Sequence, residues 1–164
     1  MRIMGIDPGY AIVGVGLVDY DNVRFSLVEY GAITTPAELP FETRLRQIYD
    51  DMVGLITQYR PDAVAMEQLF FTPNRPTAIA VAEARGVLLL AAEQQGVPVF
   101  NYTPLQVKSA VVGYGKAEKE QVMEMTRRLL CLREVPKPDD TADALAIAIC
   151  HCHASGTALR QFLR

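Results

Sequence analysis

Apolar residues recur along the chain with two different periods, and these periods predict the order of its strands and helices. Short apolar or alternating runs predict strands, whereas recurrence at three- and four-residue spacing predicts amphipathic helices. The predicted strands are residues 2–6, 11–19, 23–33, 62–67 and 97–100. The predicted helices are residues 41–59, 78–95, 104–112, a segment ending near Leu132, and residues 140–154. Strands followed by strand–helix alternation indicate an α/β domain with a mixed sheet.

The first three predicted strands are joined by the short connections Pro8-Gly9-Tyr10 and Tyr20-Asp21-Asn22, which favour a meander. Gly14 and Gly16 lie inside the second strand, where glycine either weakens the strand or lets another segment approach closely. The helix predicted at 78–95 contains the run AIAVAEARGVLLLAA, which is apolar on most faces. Such a helix is buried on more than one side, and a subunit interface is one way to bury it.

Length and composition fit one folded domain. The chain has 164 residues, of which 50% are apolar, and it lacks an apolar run of the length that spans a membrane. We expect residues 1–154 to form the domain and residues 155–164 to be a disordered tail. The N-terminal MRIMGID reaches a charge too early for a signal peptide, which predicts a cytoplasmic protein.

Charge is distributed unevenly along the sequence. Residues 1–70 carry 5 basic and 10 acidic side chains, whereas residues 71–164 carry 11 basic and 9 acidic side chains. The formal net charge of −3 does not exclude nucleic acid, because a few well-placed Lys and Arg residues can bind a polyanion.

Cysteine and histidine cluster near the end of the sequence, in the run Cys150-His151-Cys152-His153. Consecutive helical residues point in different directions, so at most Cys150 and His153 share a face. A zinc site is therefore a weaker interpretation than the last turns of a helix. The three cysteines of the chain do not form a disulfide framework.

Four acids occupy positions that ordinary surface acids do not. Asp7 follows the first strand, Glu67 ends the fourth, and Asp140 and Asp143 lie three residues apart at the start of the last helix. Each could be satisfied locally, since Asp7 can cap a turn and either Asp139 or Asp140 can cap the helix. Together, with no basic partner beside them, they favour one joint site.

A site of several carboxylates requires compensation, and a metal ion is the usual source. Ligands that are all oxygen suit Mg²⁺ or Mn²⁺ rather than zinc. Two such ions can hold a nucleophilic water and the leaving oxygen of a phosphodiester. The acids therefore predict metal-assisted phosphodiester hydrolysis.

Several motifs occur in one order along the chain: GIDPG at 5–9, AMEQLFF at 65–71, ARGV at 84–87, QVKSAVVGYGKAEKEQV at 106–122 and DDTADALAIAICHCH at 139–153. This ordered set closely resembles the bacterial RuvC Holliday junction resolvases, over about residues 1–154. The resemblance implies a ribonuclease H-like fold, with a five-stranded mixed sheet flanked by helices. It also implies a Mg²⁺-dependent homodimer that binds a four-way DNA junction and nicks two opposite strands symmetrically. A branch-migration motor complex is a further partner expected from the family.

The resemblance also assigns residues. It places the four catalytic, metal-binding acids on Asp7, Glu67, Asp140 and Asp143, and so selects Asp140 over Asp139. It places an aromatic that stacks on unpaired bases on Phe70, and functional lysines on Lys108 and Lys119. We add Lys116, Asn74 and Arg75 as further candidate DNA contacts, because basic and amide side chains position phosphates. The alternatives are core packing for Phe70 and a solvated surface position for each lysine.

Three other functions remain to be weighed. The stretch from Asp7 to Gly16 is also similar to the phosphate loop of actin-like sugar kinases, but those enzymes need two such domains. A ribonuclease H-like enzyme acting on RNA or on other branched DNA is a second alternative. A module that binds junctions without cutting them is a third, and the complete set of four acids argues against it.

Overall fold

The computed structural model describes residues 1–69 and 77–162, which contain one mixed sheet with helices on both faces. The strands are β1 (Arg2–Asp7), β2 (Ile12–Tyr20), β3 (Phe25–Thr34), β4 (Ala63–Glu67) and β5 (Val99–Tyr102). The helices are α1 (Phe41–Tyr59), α2 (Ala78–Gln94), α3 (Pro104–Val112), α4 (Lys119–Leu129) and α5 (Asp139–Phe162). The strand order is β3-β2-β1-β4-β5. The predicted five-stranded mixed sheet is thereby confirmed.

Strand direction changes at β1. The first three strands pair antiparallel as the predicted meander, whereas β4 pairs parallel to β1 and β5 pairs parallel to β4. Successive side chains of a strand point to opposite faces of the sheet. In β1, Met4 and Ile6 therefore face a core that includes residues of α1 and α2, while Ile3 faces a core that includes residues of α3, α4 and α5.

Glycines in the two central strands let α5 lie directly on the sheet. A Cβ added to Gly5 would come 1.9 Å from the carbonyl oxygen of Ala144, and one added to Gly14 would come 2.0 Å from that of Asp140. At Gly16 the added atom would lie 2.7 Å from the Leu145 side chain. The close approach predicted at Gly14 and Gly16 is confirmed, and the segment that approaches is α5.

Helices α1 and α3 have the bounds that the sequence predicts. After α1 the chain leaves the helix through Arg60, which has a left-handed backbone, and then reaches Pro61. Helix α3 begins with a capping box between Thr103 and Gln106, with Pro104 in the first turn, and ends at left-handed Gly113. The proline after α1, together with the capping box and the glycine of α3, explains why the bounds of these helices could be predicted.

Strand β5 differs from its predicted bounds at both ends, and helix α4 differs at its C-terminal end. The amide of Val97 bonds to the carbonyl of Ala92 at the end of α2, so β5 pairing begins only after Pro98, and the strand is 99–102 rather than 97–100. Helix α4 stops at Leu129 because Cys131 is left-handed and the amide of Leu132 returns to the carbonyl of Arg127. This return bond is a helix-terminating motif that composition does not reveal.

Helix α5 is longer than predicted, because its backbone is helical from Asp139 to Phe162 rather than from 140 to 154. Both Asp139 and Asp140 lie in its first turn, so neither is the residue that precedes the helix. The division into a domain at 1–154 and a disordered tail at 155–164 stays a prediction. No helix within residues 1–69 and 77–162 is both long and apolar enough to cross a membrane.

The run Cys150-His151-Cys152-His153 lies within α5, as the helical interpretation predicts. Cys150 and Cys152 are buried, and Nδ1 of His151 lies 2.7 Å from the hydroxyl of Tyr102. Nδ1 of His153 lies 3.0 Å from the carbonyl oxygen of Ala110. These four side chains do not form a metal-binding group in the part of the chain that the structure describes.

Candidate active site

Two of the predicted acids lie at the ends of neighbouring parallel strands. Asp7 is the last residue of β1 and Glu67 is the last residue of β4. Ile6 pairs with Met66, so the two strand ends lie side by side at the same edge of the sheet. Both carboxylates are thus carried by the most rigid part of the fold.

Helix α5 brings the other two acids to the same place. Asp7 pairs with Gly14 in the β1–β2 ladder, and the backbone of Asp140 lies directly over Gly14. Asp143 is one turn further along α5, on the same side of the helix as Asp140. The missing side chain of Gly14 is therefore what allows α5 to begin beside Asp7.

The turn after Asp7 is fixed by a buried arginine that the sequence did not single out. Nε of Arg44 donates to the hydroxyl of Thr35 at 2.9 Å, and a second nitrogen of Arg44 donates to the carbonyl of Tyr10 at 3.2 Å. A Cβ on Gly9 would lie 2.1 Å from the carbonyl oxygen of Ile12. Pro8 and Gly9 turn the chain tightly, as expected, and Arg44 holds the turn in place.

The four acids act on one another electrostatically. Burial is the largest cause that raises the pKa of Asp7, and together with the charges of Glu67, Asp143 and Asp140 it brings that pKa to about 8. Burial also raises the pKa of Glu67, with a second contribution from Asp143. The pKa of Asp143 is raised too, chiefly by burial, although the nearby Lys119 opposes that shift. Converging negative charge with little compensation is the main property of this site.

Lys119 is the basic group that contacts this cluster in the described part of the chain. Its Nζ lies 3.0 Å from Oδ2 of Asp143 and 3.7 Å from Oδ2 of Asp139. Burial lowers the pKa of Lys119, but the hydrogen bond and charge of Asp143 outweigh burial and leave the pKa raised. The predicted functional lysine is thus brought to the acids by the first turn of α4.

The acids fit a hard divalent cation by their chemistry. All four offer carboxylate oxygens, which Mg²⁺ and Mn²⁺ prefer, and a cation would relieve the repulsion that raises the pKa of Asp7. As the side chains lie, no three of them within residues 1–69 and 77–162 are grouped closely enough to hold a metal ion. Asp143 is turned toward Lys119, so binding a cation requires side chains of the cluster to move.

The remaining predicted DNA contacts are only partly located. Lys108 is half-buried on α3 and Lys116 is exposed between α3 and α4. Neither forms an ion pair with the acids among the described residues. Phe70, Asn74 and Arg75 lie outside the described residues.

Arg85 contacts the backbone of one of the predicted acids, a link that sequence reasoning missed. From α2, its Nε donates to the backbone carbonyl of Glu67 at 3.3 Å, and its guanidinium also bonds to the side chain of Asn101 on β5. Burial lowers the pKa of Arg85. The motif ARGV at 84–87 contains this residue, but nothing in its spacing from Glu67 indicates that the two meet.

Acids at the ends of the central strands and at the start of a helix packed on the sheet form a candidate nuclease site on a ribonuclease H-like fold. The family model described as "Crossover junction endodeoxyribonuclease RuvC" matches residues 3–151. The chain therefore belongs to the RuvC family of crossover junction endodeoxyribonucleases.

Relatives and solved structures agree with this assignment. The chain is 59% identical to a crossover junction endodeoxyribonuclease RuvC of Brevibacillus brevis over 151 residues, covering 92% of this chain and 91% of the relative. It is 55% identical to that of Caldanaerobacter subterraneus subsp. tengcongensis over 155 residues, covering 94% of each chain. It superimposes with a TM-score of 0.92 and 38% identity on Thermus thermophilus RuvC in complex with a Holliday junction substrate, covering 96% of both chains.

Proposed function

We propose that this protein resolves four-way DNA junctions by paired, symmetrical nicks, using Asp7, Glu67, Asp140 and Asp143 to hold two Mg²⁺ ions, for which Mn²⁺ can substitute. The observation that carries the proposal is the convergence of four carboxylates at one sheet edge, where burial and the charges of the other three acids raise the pKa of Asp7 to about 8. Carboxylates in such an environment bind cations readily, because each cation removes repulsion. When bound, the ions supply an activated water and stabilise the leaving oxygen.

The chain's own residues prepare the site for that chemistry. Asp7 and Glu67 are held by strand ends, so they present fixed oxygens, while Asp140 and Asp143 approach from α5. Lys119, now paired with Asp143, is placed to exchange that carboxylate for a phosphate oxygen of the DNA. Its positive charge then offsets negative charge at the cut strand.

DNA positioning is assigned to the residues around this centre. Lys108 and Lys116 lie on α3 and in the connection after it, and they are proposed to contact phosphates. Phe70, which follows Glu67 by three positions in the sequence, is proposed to stack on an unpaired base, and Asn74 and Arg75 to contact the backbone nearby. A relative from Thermus thermophilus has been solved with a Holliday junction, which supports this substrate class.

A homodimer is part of the proposal, because paired nicks on opposite strands need two active sites. Helix α2 supports it: Ile79 is 74% exposed and Leu90 is 52% exposed on the face turned away from the sheet. Exposed apolar side chains along one helix face are typical of an interaction site. Contact with a branch-migration motor complex and a cytoplasmic location are further expectations from the family.

Cleavage of a labelled four-way junction, measured beside a linear duplex of the same sequence, tests the proposal. We expect symmetrical nicks that require the junction and Mg²⁺ and that disappear with chelator. Asp140→Asn should abolish cleavage and keep junction binding, whereas the matched variant Asp139→Asn, one residue away in the same turn, should keep both. Tight binding without nicks, in several junction sequences and with Mn²⁺, would instead indicate a binding module.

A further inference from the structure

A groove of about 510 Å³ lies between the edge strand β3 and helix α1, away from the acidic active site. β3 is at the opposite edge of the sheet from β5, and none of the four catalytic acids lines the groove. Its floor includes Val15 and Leu17 of β2, which are buried core residues. The groove is therefore a distinct apolar-floored feature of the sheet edge.

Two glycines keep this groove open. Gly31 of β3 and Gly54 of α1 both line it, and a Cβ added at either position would meet no atom within 4 Å. Neither residue has the positive φ that favours glycine. Glycine in the middle of a strand or helix is unfavourable unless something else approaches. The space beside them thus suits an incoming side chain.

The backbone of β3 is available along the same groove. The amide of Thr35 bonds inward to the carbonyl of Ala11, which fixes the phase of the antiparallel ladder. The backbone groups of Tyr30, Ala32 and Thr34 consequently point to the free edge. Two of these groups are held by nearby side chains: the carboxylate of Glu29 accepts from the Tyr30 amide, and the Gln47 side chain donates to the Thr34 carbonyl, each at 3.1 Å.

Charge identifies the kind of partner that fits. The described residues that line the groove include the carboxylates of Glu29, Asp50 and Asp51 and no Lys, Arg or His. All three acids are exposed, so they attract cations and repel a phosphate backbone. A second DNA strand is therefore disfavoured here, whereas a basic peptide is complementary.

We propose that this groove binds an extended basic segment of a partner protein, which adds as a strand to the free edge of β3. Apolar side chains of the segment enter the space beside Gly31 and Gly54, and the intervening Lys or Arg side chains pair with Glu29, Asp50 and Asp51. Strand addition to a sheet edge obtains affinity from backbone hydrogen bonds and specificity from pockets for alternate side chains.

Selection from a displayed library of random short peptides tests this proposal with the full-length protein as bait. We expect enrichment of sequences that alternate apolar residues with Lys or Arg. A selected peptide should shift the backbone amide signals of Tyr30, Ala32 and Gly54 in nuclear magnetic resonance spectra. The groove-filling variant Gly31→Val/Gly54→Leu should bind that peptide at least about tenfold more weakly.

The controls separate groove binding from misfolding and from charge alone. Gly31→Val/Gly54→Leu should melt at the same or a higher temperature and cut junctions normally, because the added side chains enter open space. Asp50→Asn/Asp51→Asn should weaken binding several-fold and reduce its salt dependence. Enrichment of acidic or unpatterned peptides, or equal binding by the filled variant, would overturn the proposal. So would a concentration-dependent increase in mass that the filled variant loses, since this would assign the groove to a second copy of the chain.

Discussion

An aspartate lies at each end of strand β1: Asp19 of the neighbouring strand β2 lies beside its first residue, and Asp7 is its last residue. The two carboxylates are in opposite electrostatic environments. At the first end, Arg2 donates two hydrogen bonds to the carboxylate of Asp19 on the neighbouring strand, at 2.8 and 2.9 Å. The hydrogen bond from Arg2 lowers the pKa of Asp19. At the other end, burial and three further acids raise the pKa of Asp7 to about 8.

The difference shows how a structural acid can be told from a functional one. Asp19 is compensated within the chain, so its charge helps to hold the folded state together. Within residues 1–69 and 77–162 no arginine compensates Asp7 in this way, so its charge acts against the folded state unless a bound cation neutralises it. Both aspartates lie near a strand end, and what distinguishes them is the charge of the neighbouring side chains.

Substitution of each aspartate by asparagine gives the largest expected contrast. Asp7→Asn should reduce junction cleavage by at least about 100-fold, because a preorganised charge at the reacting centre is lost. Asp19→Asn should leave the cleavage rate unchanged, because its carboxylate pairs with Arg2 at the opposite end of β1 from Asp7. Single-turnover cleavage of a labelled junction measures both. Equal losses of cleavage in the two variants would show that Asp7 and Asp19 do not differ in function.

Each of the two regions contains an arginine: Arg2 beside Asp19, and Arg85 beside Glu67. Substitution of the first should change stability, and substitution of the second should change cleavage. Arg85→Ala should lower metal affinity or cleavage by about 10–100-fold, because Arg85 bonds to the backbone of Glu67 and a partner of a ligand typically contributes this much. Arg2→Ala should affect stability alone. Cleavage measured over a range of Mg²⁺ concentrations would detect the change. Rescue of Arg85→Ala by excess Mg²⁺ would attribute the loss to metal affinity.

The stability of the metal-free protein should depend on pH in the direction set by Asp7. Its pKa is about 8 in the folded state and about 3.9 in an unfolded chain. Between these values the folded state binds more protons, so the free energy of unfolding falls as pH rises, by at most about 1.4 kcal/mol per pH unit from this group. Asp7→Asn should flatten the dependence. Urea unfolding in chelator from about pH 5 to about pH 8 tests it, and an unchanged slope in the variant would contradict it.

The smallest expected effect is the loss of stability when the Arg2–Asp19 ion pair is removed. Asp19→Asn should lower the free energy of unfolding by no more than about 1 kcal/mol, because the Arg2–Asp19 pair is partly exposed, with side chains 35% and 42% accessible. The effect should shrink as salt is added. Urea unfolding at low and high salt measures it, and a loss several times larger would show that Asp19 has a role beyond this pair.

The sequence predicted most elements because their signals are local. Helix α1 follows from apolar spacing and a proline stop, and α3 from a capping box with a glycine beyond it. The strand β5 was misplaced because the amide of Val97 serves the end of α2, a choice set by three-dimensional context. The length of α5 was underestimated for a different reason: Ser155 and Gly156, residue types that commonly end helices, lie within this one.

The positions of the acids could be predicted in part: Asp7 and Glu67 follow or end predicted strands, and Asp140 and Asp143 begin the last predicted helix, where the family resemblance selected Asp140 over Asp139. The pairing of Lys119 with Asp143 and the bond from Arg85 to Glu67 could not be predicted, because each joins segments that are distant in sequence. Spacing along the chain carries no information about such contacts. They follow only from the order of strands and the packing of α2 and α4.

The packing of α5 on Gly5, Gly14 and Gly16 has a consequence for how the protein is made in the cell. Asp7 emerges early during synthesis, but Asp140 and Asp143 emerge only near the end, and they reach Asp7 only when α5 settles on the finished strands. A partly synthesised chain therefore lacks two of the four acids that are proposed to hold the metal ions. Domains complete such distant contacts late, since the loops must close first. If these acids act as proposed, we expect the nascent chain to be inactive as a nuclease until the last helix has folded onto the sheet.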